Sequence, residues 1–204
     1  MIVINLFAGP GAGKSTMADL LAEQFDLTCY HIDEVIRQRP ELFTAERCPC
    51  MYKWTHTPWN VLWMQTPEQL MLEVKACYQE QFEIILQDLL STATGNKAVL
   101  AEGNSLMPDG VVKTLSTSSR AIWVIPTEPF QRKMYRRRGD WVGHILAQCE
   151  DPELAFRRWM NRDVAFARWI KERTTALELP LLEVSGQRTI RENAELVAKC
   201  LRLR

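Results

Sequence analysis

Residues 8–16 read Ala8-Gly9-Pro10-Gly11-Ala12-Gly13-Lys14-Ser15-Thr16. Ahead of them, Ile2 to Phe7 is an apolar, partly β-branched run, short enough for a buried strand. Behind them, Ser15 to Phe25 repeats apolar residues at Met17, Leu20, Leu21 and Phe25, which is helical spacing. The glycines therefore join a strand to a helix. Gly9, Gly11 and Gly13 permit backbone conformations closed to larger residues, so successive N–H groups can converge on one anion. The helix that follows adds the positive end of its dipole at the same spot. The stretch meets the pattern G-x-x-x-x-G-K-[ST] with Ala8 in the first place, one small residue standing for another. In that pattern Gly9 to Thr16 cradle nucleotide phosphates, Lys14 reaches the β- and γ-phosphates, and the Ser15 hydroxyl ligates Mg²⁺. The bland alternative is a glycine-rich turn holding an accidental Gly-Lys-Ser.

The chain has 204 residues, enough for one domain with a real core, and its 25 basic and 25 acidic residues balance. Composition alone therefore points to neither nucleic acid nor membrane as partner. The distribution is uneven: residues 1–119 hold 8 Lys+Arg against 14 Asp+Glu, and residues 120–204 hold 17 against 11. Fourteen of the 17 arginines lie in that second part. Arginine suits planar, multi-donor recognition of phosphate, although a solvated basic helix face accounts for such a run as well. No apolar run has the length of a membrane span, and the N-terminus is taken up by the phosphate loop, so the expected location is the cytoplasm. The six cysteines, at 29, 48, 50, 77, 149 and 200, show no disulfide framework and read as core thiols.

Five apolar runs read as strands: Ile2 to Phe7, Thr28 to Ile32, Ala98 to Ala101, Ala121 to Ile125 and Leu179 to Val184. Helical segments separate them, the pattern of a parallel sheet covered on both faces. Thr66-Pro67-Glu68-Gln69 combines an N-cap, a proline at the first helical position and a capping-box glutamine, opening a helix that runs to about Leu90. Thr127 and Asp151 precede helix starts of the same style, and Thr189 to Glu192 is a further capping box. Two insertions interrupt the alternation, Arg37 to Gln65 and Gly139 to Glu150. Segments of that length commonly serve as lids or substrate clamps.

Taken in order, the phosphate loop, "CYHIDEV", "VLAEGNSLMP", "IWVIPTEPFQRKMYRRR" and "LPLLEVSGQRTIRENAELV" resemble the small P-loop kinases, the branch with nucleoside monophosphate kinases, shikimate kinase and gluconate kinase. The resemblance implies a single three-layer α/β/α domain over residues 1–204, with a five-stranded parallel sheet ordered 2-3-1-4-5. It implies ATP and Mg²⁺ as cofactors, a substrate-binding insertion at 37–65 with the helix 66–90, and a lid over 136–168. Asp33, at the end of the second strand, would orient an acceptor hydroxyl and take its proton; a helix N-cap is the other reading. Glu102, at the end of the third strand, sits where such kinases hold Mg²⁺ through water, or is simply a strand-end acid. Gly103 would let a ligand approach closely, with Asn104 or Ser105 bonding it. Arg136, Arg157 and Arg162 are the lid arginines expected to neutralise charge on the transferring phosphoryl group, with Arg132 and Arg168 on the same helices. Gly186 and Arg188 fall where these kinases pack the adenine.

The expected partners are a nucleoside triphosphate and a small-molecule acceptor that the sequence does not identify. The Asp-x-x-Pro-Arg string of nucleoside monophosphate kinases is missing after the third strand, which argues against a nucleotide acceptor. Two rival readings stay open: a nucleotide-binding regulatory ATPase or switch, and a nucleic-acid-end kinase. Cys48, Cys50 and His56 have irregular spacing and fall short of a zinc site. Trp54, Trp59 and Trp63 pack either an acceptor pocket or the sheet edge.

Overall fold

The computed structural model describes residues 3–8, 11–92, 97–114, 120–135 and 139–203. Five strands carry the sheet: β1 (Val3–Ala8), β2 (Thr28–His31), β3 (Val99–Glu102), β4 (Arg120–Pro126) and β5 (Leu181–Val184). All pairings are parallel, in the order β2-β3-β1-β4-β5. Parallel neighbours need crossovers, and helices supply them: α1 (Lys14–Phe25), α2 (Ile32–Gln38), α3 (Pro49–His56), α4 (Trp59–Trp63), α5 (Pro67–Thr92), α6 (Pro108–Thr114), α7 (Glu128–Tyr135), α8 (Gly139–Leu146), α9 (Pro152–Ala176) and α10 (Ile190–Leu201).

Side chains of β3 and β4 alternate between two cores, as the period of a strand requires. Val99, Ala101, Ala121, Trp123 and Ile125 join the cluster under α5 and α9, while Leu100, Ile122 and Val124 join the one under α1 and α10. Trp123 is fully buried and its indole N–H donates to the Leu106 carbonyl at 3.0 Å, so its one polar atom is satisfied inside the core. A third apolar cluster lies away from the sheet, among Leu62, Trp63, Leu70, Tyr135, Val142, Trp159 and Met160.

The helix starts follow the capping chemistry. Thr66 and Gln69 exchange backbone-to-side-chain hydrogen bonds at 3.2 and 3.3 Å, Asp151 accepts from the Leu154 N–H, and Thr189 with Glu192 forms a full capping box. The insertion over 37–65 is mostly helical, with the end of α2, a 3₁₀ turn at Pro40–Leu42, α3 and α4. Proline at the first turn of α3 and the pairing of its Cys50 and Met51 N–H groups with Glu80 on α5 give this segment its structure. The sequence reading also has no counterpart of α6, a seven-residue helix too short to show a period.

Candidate active site

Register sets the site. Glu102, the last residue of β3, stands opposite Leu6 of β1 and His31 of β2, at the carboxyl edge where parallel sheets bind ligands. The loop after β1 turns through Gly11 at φ 92° and Gly13 at φ 78°, conformations that side chains rarely adopt. Gly13 caps α1 without any side-chain bond, so the first N–H groups of that helix point at the same edge. Gly9 and Pro10 lie outside the described residues. Gly11 packs beside Met134 and Tyr135 at the end of α7, and Gly13 beside Ile190 at the start of α10.

Lys14 is buried, and its Nζ lies 3.3 Å from Asp33 Oδ2 and 3.8 Å from Glu102 Oε2. Ser15 Oγ donates to Glu102 Oε1 at 3.1 Å. Four of the residues singled out in the sequence thus meet at one point, while Ala12 is buried behind them and Thr16 is exposed. Asp33 differs in its placement: β2 stops at His31, and Asp33 sits in the first turn of α2, where its charge also suits the positive helix end.

His31 belongs to this cluster and has no counterpart in the sequence reading. Its Nδ1 is 2.8 Å from Glu102 Oε1 and its Nε2 is 3.0 Å from Asp19 Oδ1. Burial works against a charged imidazole, but the hydrogen bond and charge of Glu102, with Asp19 and Glu34, outweigh it and raise the pKa. Its place in "CYHIDEV" offers no signal beyond adjacency to a strand end. Asp19, Cys29 and His31 are also the His/Cys/carboxylate group close enough to share an ion among the described residues, whereas Cys48, Cys50 and His56 are not gathered. Burial, with Asp19 and Glu102, pushes the Cys29 thiol up to about 12.

Gly103 corrects an expectation. A Cβ there would stand 2.6 Å from Ile32 Cβ, so the position faces the β2–α2 junction, and its lack of a side chain serves packing rather than ligand approach. Asn104 lines the cavity beside Lys14, while Ser105 lines a separate one between α5 and α6.

The cavity next to Lys14 measures about 260 Å³. Lys14 and Asp33 line it together with Tyr78, Asn104, Tyr135 and Arg162. Five of the chain's seven tryptophans, Trp54, Trp59, Trp63, Trp141 and Trp159, form its aromatic wall. Trp63 stacks on Trp159 with centroids 4.3 Å apart, and Trp54 meets Trp63 edge-on at 6.0 Å. Arg162, 7% exposed, pairs with Asp163 at 2.5 Å, and Asp163 also accepts from the Tyr135 hydroxyl at 2.6 Å. Burial opposes the guanidinium charge, yet Asp163 raises its pKa further.

The remaining arginines are scattered. Arg136 lies outside the described residues, and Arg157 and Arg168 on α9 are exposed, as is Arg188. Gly186, at φ 84°, is pinned by Phe130, whose ring would stand 2.6 Å from any Cβ. Several other arginines of the second half serve the fold: Arg120 donates to the Leu201 carbonyl, Arg132 to Glu128 and Asn161, Arg158 to the Met64 carbonyl, and Arg173 to Asp109.

No family model matches the chain, and no curated protein matches it. Solved structures do. The chain is similar to a gluconokinase from Sinorhizobium meliloti 1021, at 12% identity and TM-score 0.54 over 98% of this chain and 91% of that one. It is similar to shikimate kinase from Bacteroides thetaiotaomicron, at 16% identity and TM-score 0.52 over 99% of each chain. Deoxyadenosine kinase from M. mycoides with bound dATP gives 12% identity and TM-score 0.50 over 98% of this chain and 100% of that one. At such identities the likeness is one of fold, and the fold is P-loop kinase-like. No helix among the described residues is long and apolar enough to cross a membrane.

Proposed function

We propose that the chain is an ATP- and Mg²⁺-dependent phosphotransferase that moves the γ-phosphoryl group to a hydroxyl of a small molecule held in the tryptophan-walled cavity. The observation that carries this reading is the meeting of Lys14, Ser15, Asp33 and Glu102 at the sheet edge, with Lys14 and Asp33 also lining that cavity. A phosphate loop alone would suit a switch or an ATPase. A walled cavity reaching its lysine supplies room for a second reactant.

The residues fit magnesium. Ser15 and Glu102 offer the hard oxygen donors that Mg²⁺ takes, and Glu102 Oε2, buried without a hydrogen-bond partner, has lone pairs left for the ion's water shell. His31 holds the other carboxylate oxygen and so fixes the orientation of Glu102. Bound there, the ion would neutralise phosphate charge.

In the transfer, the acceptor hydroxyl oxygen bonds to the γ-phosphorus while the bond from that phosphorus to the β–γ bridging oxygen breaks. The electron pair of the broken bond leaves with ADP. The hydroxyl proton passes to Asp33, whose carboxylate is half-exposed beside the Lys14 ammonium. Lys14 holds the phosphates, with Arg157 and Arg136 as the lid arginines, and Gly186 and Arg188 flank the base.

Lys14→Ala tests the reading. Calorimetry with ATP and Mg²⁺ should show binding by the unaltered protein and loss of turnover by at least about a hundredfold in the variant, with little change in melting temperature. A variant that turns over ATP at the original rate would place the chemistry elsewhere.

A further inference from the structure

Side chains alternate along a strand, so Cys29 and His31 of β2 stand on one face of the sheet. Their partners in register on β3 are Leu100 and Glu102, and Leu100 and Cys29 both belong to the core under α1 and α10. Asp19 comes from α1, which packs on that face. His31 Nε2 is 3.0 Å from Asp19 Oδ1, and Cys29 Sγ is 4.0 Å from His31 Nδ1. One ligand atom from each of the three residues lies within 4.8 Å of the other two. A tetrahedral zinc spaces nitrogen, oxygen and sulfur ligands about 3.3–3.6 Å apart. Rotation about side-chain bonds closes a gap of that size, and Asp19, 63% exposed, has room to turn.

We propose that Asp19, Cys29 and His31 bind one Zn²⁺ ion, with the fourth place left to water. Glu102 supports the site from behind: its Oε1 holds His31 Nδ1 at 2.8 Å, which fixes the ring and leaves Nε2, on the Asp19 side, for the ion. A charged imidazole held between two carboxylates accounts for Asp19 and Glu102 without any metal. Sulfur is the ligand that discriminates, because thiolate with imidazole and carboxylate suits zinc, whereas Mg²⁺ and Ca²⁺ take oxygen donors.

Burial, then Asp19, Glu102 and Glu34, works against a thiolate at Cys29, and the same three carboxylates draw a dication to the spot. As the Sγ–Zn bond forms, the thiol proton leaves to solvent and the sulfur electron pair goes to the metal. The bound ion clamps α1 to β2 and, through His31, holds Glu102 in place. The site does not depend on the phosphotransferase reading.

Cobalt(II) reports such a site by its colour. The full chain, cleared of metal with a chelator and kept reduced, is titrated with Co²⁺ without nucleotide. One ion per chain should give a thiolate-to-cobalt charge-transfer band and the intense visible bands of four-coordinate cobalt. Zn²⁺ should abolish both, and excess Mg²⁺ should leave them unchanged. Cys29→Ser should remove the charge-transfer band, while Cys50→Ser keeps it. Asp19→Asn alters an exposed side chain and should weaken Zn²⁺ about tenfold or more in competition with Co²⁺. No charge-transfer band in the unaltered protein, or the same band retained in Cys29→Ser, would overturn the proposal, and so would unchanged zinc affinity in Asp19→Asn. Calorimetry with ATP and Mg²⁺ keeps the two readings apart. ATP binding without the cobalt band defeats this proposal alone, and the cobalt band without ATP binding defeats the phosphotransferase reading alone.

Discussion

A methyl group added at Gly103 would stand 2.6 Å from Ile32 Cβ and 2.9 Å from Ile32 Cδ1, closer than side-chain contacts come in folded proteins. Gly103→Ala is therefore expected to destabilise the protein by about 1–3 kcal/mol through overpacking, read by chemical denaturation. An unchanged midpoint would mean the β3 end yields freely. The sequence suggested a different reason for this glycine, room for a ligand, because the contact that matters comes from Ile32 across the sheet and leaves no local trace. Lys14, Ser15 and Glu102 were legible for the opposite reason: a strand, a glycine turn and a helix dictate where a lysine and a hydroxyl go, and an acid at a parallel strand end faces the same edge. His31 was not legible. Its importance lies in two partners, Asp19 and Glu102, that only the fold brings to its ring.

Between elements, α6 and α9 are joined by Asp109 and Arg173, which pair through both carboxylate oxygens. The Arg173 hydrogen bond, beside its charge, holds the Asp109 carboxyl below its ordinary value. A carboxyl with a depressed folded pKa adds stability that is complete above about pH 4, the unfolded value, and is lost as the pH falls through the folded one. The side chains are 38% and 42% exposed, so solvent screens the pair and Asp109→Asn should cost only about 0.5 kcal/mol at pH 7. In denaturation at pH 3 or below the gap between the two proteins should shrink. A gap that widens in acid would assign the pair no electrostatic role. This link was hidden from the sequence because α6 is too short to announce itself. Helices with strong caps were plain: Thr66, Asp151 and Thr189 mark their starts through bonds to their own next turn. The helices α3 and α4 have no counterpart in the sequence reading, because Pro, Trp, Cys and His dominate a segment whose order comes from Glu80 and from the tryptophan cluster.

Across the molecule the three apolar clusters divide the labour. Two sandwich the sheet and hold its carboxyl edge rigid, while the third, built around Trp63 and Trp159, carries the cavity wall. Helix α8 is a short element of that wall. It has eight residues: Val142 is buried at 6% exposed, Asp140, Gly143 and His144 face outward, and Trp141, 46% exposed, lies against Trp159. Few buried apolar contacts and an exposed backbone face make for local opening well below the global unfolding free energy. Amide exchange followed by mass spectrometry should find peptides within 139–146 exchanging at least about tenfold faster than those within β4, whose residues Ile122 to Ile125 are at most 4% exposed. Because Trp141 and Ile145 also line the cavity, a ligand held there adds contacts that α8 otherwise lacks. A ligand that saturates the cavity should then slow exchange in α8 while leaving β4 unchanged. Protection equal to that of β4 before any ligand is added would show that α8 is part of the rigid core, and that entry to the cavity must be sought through another wall.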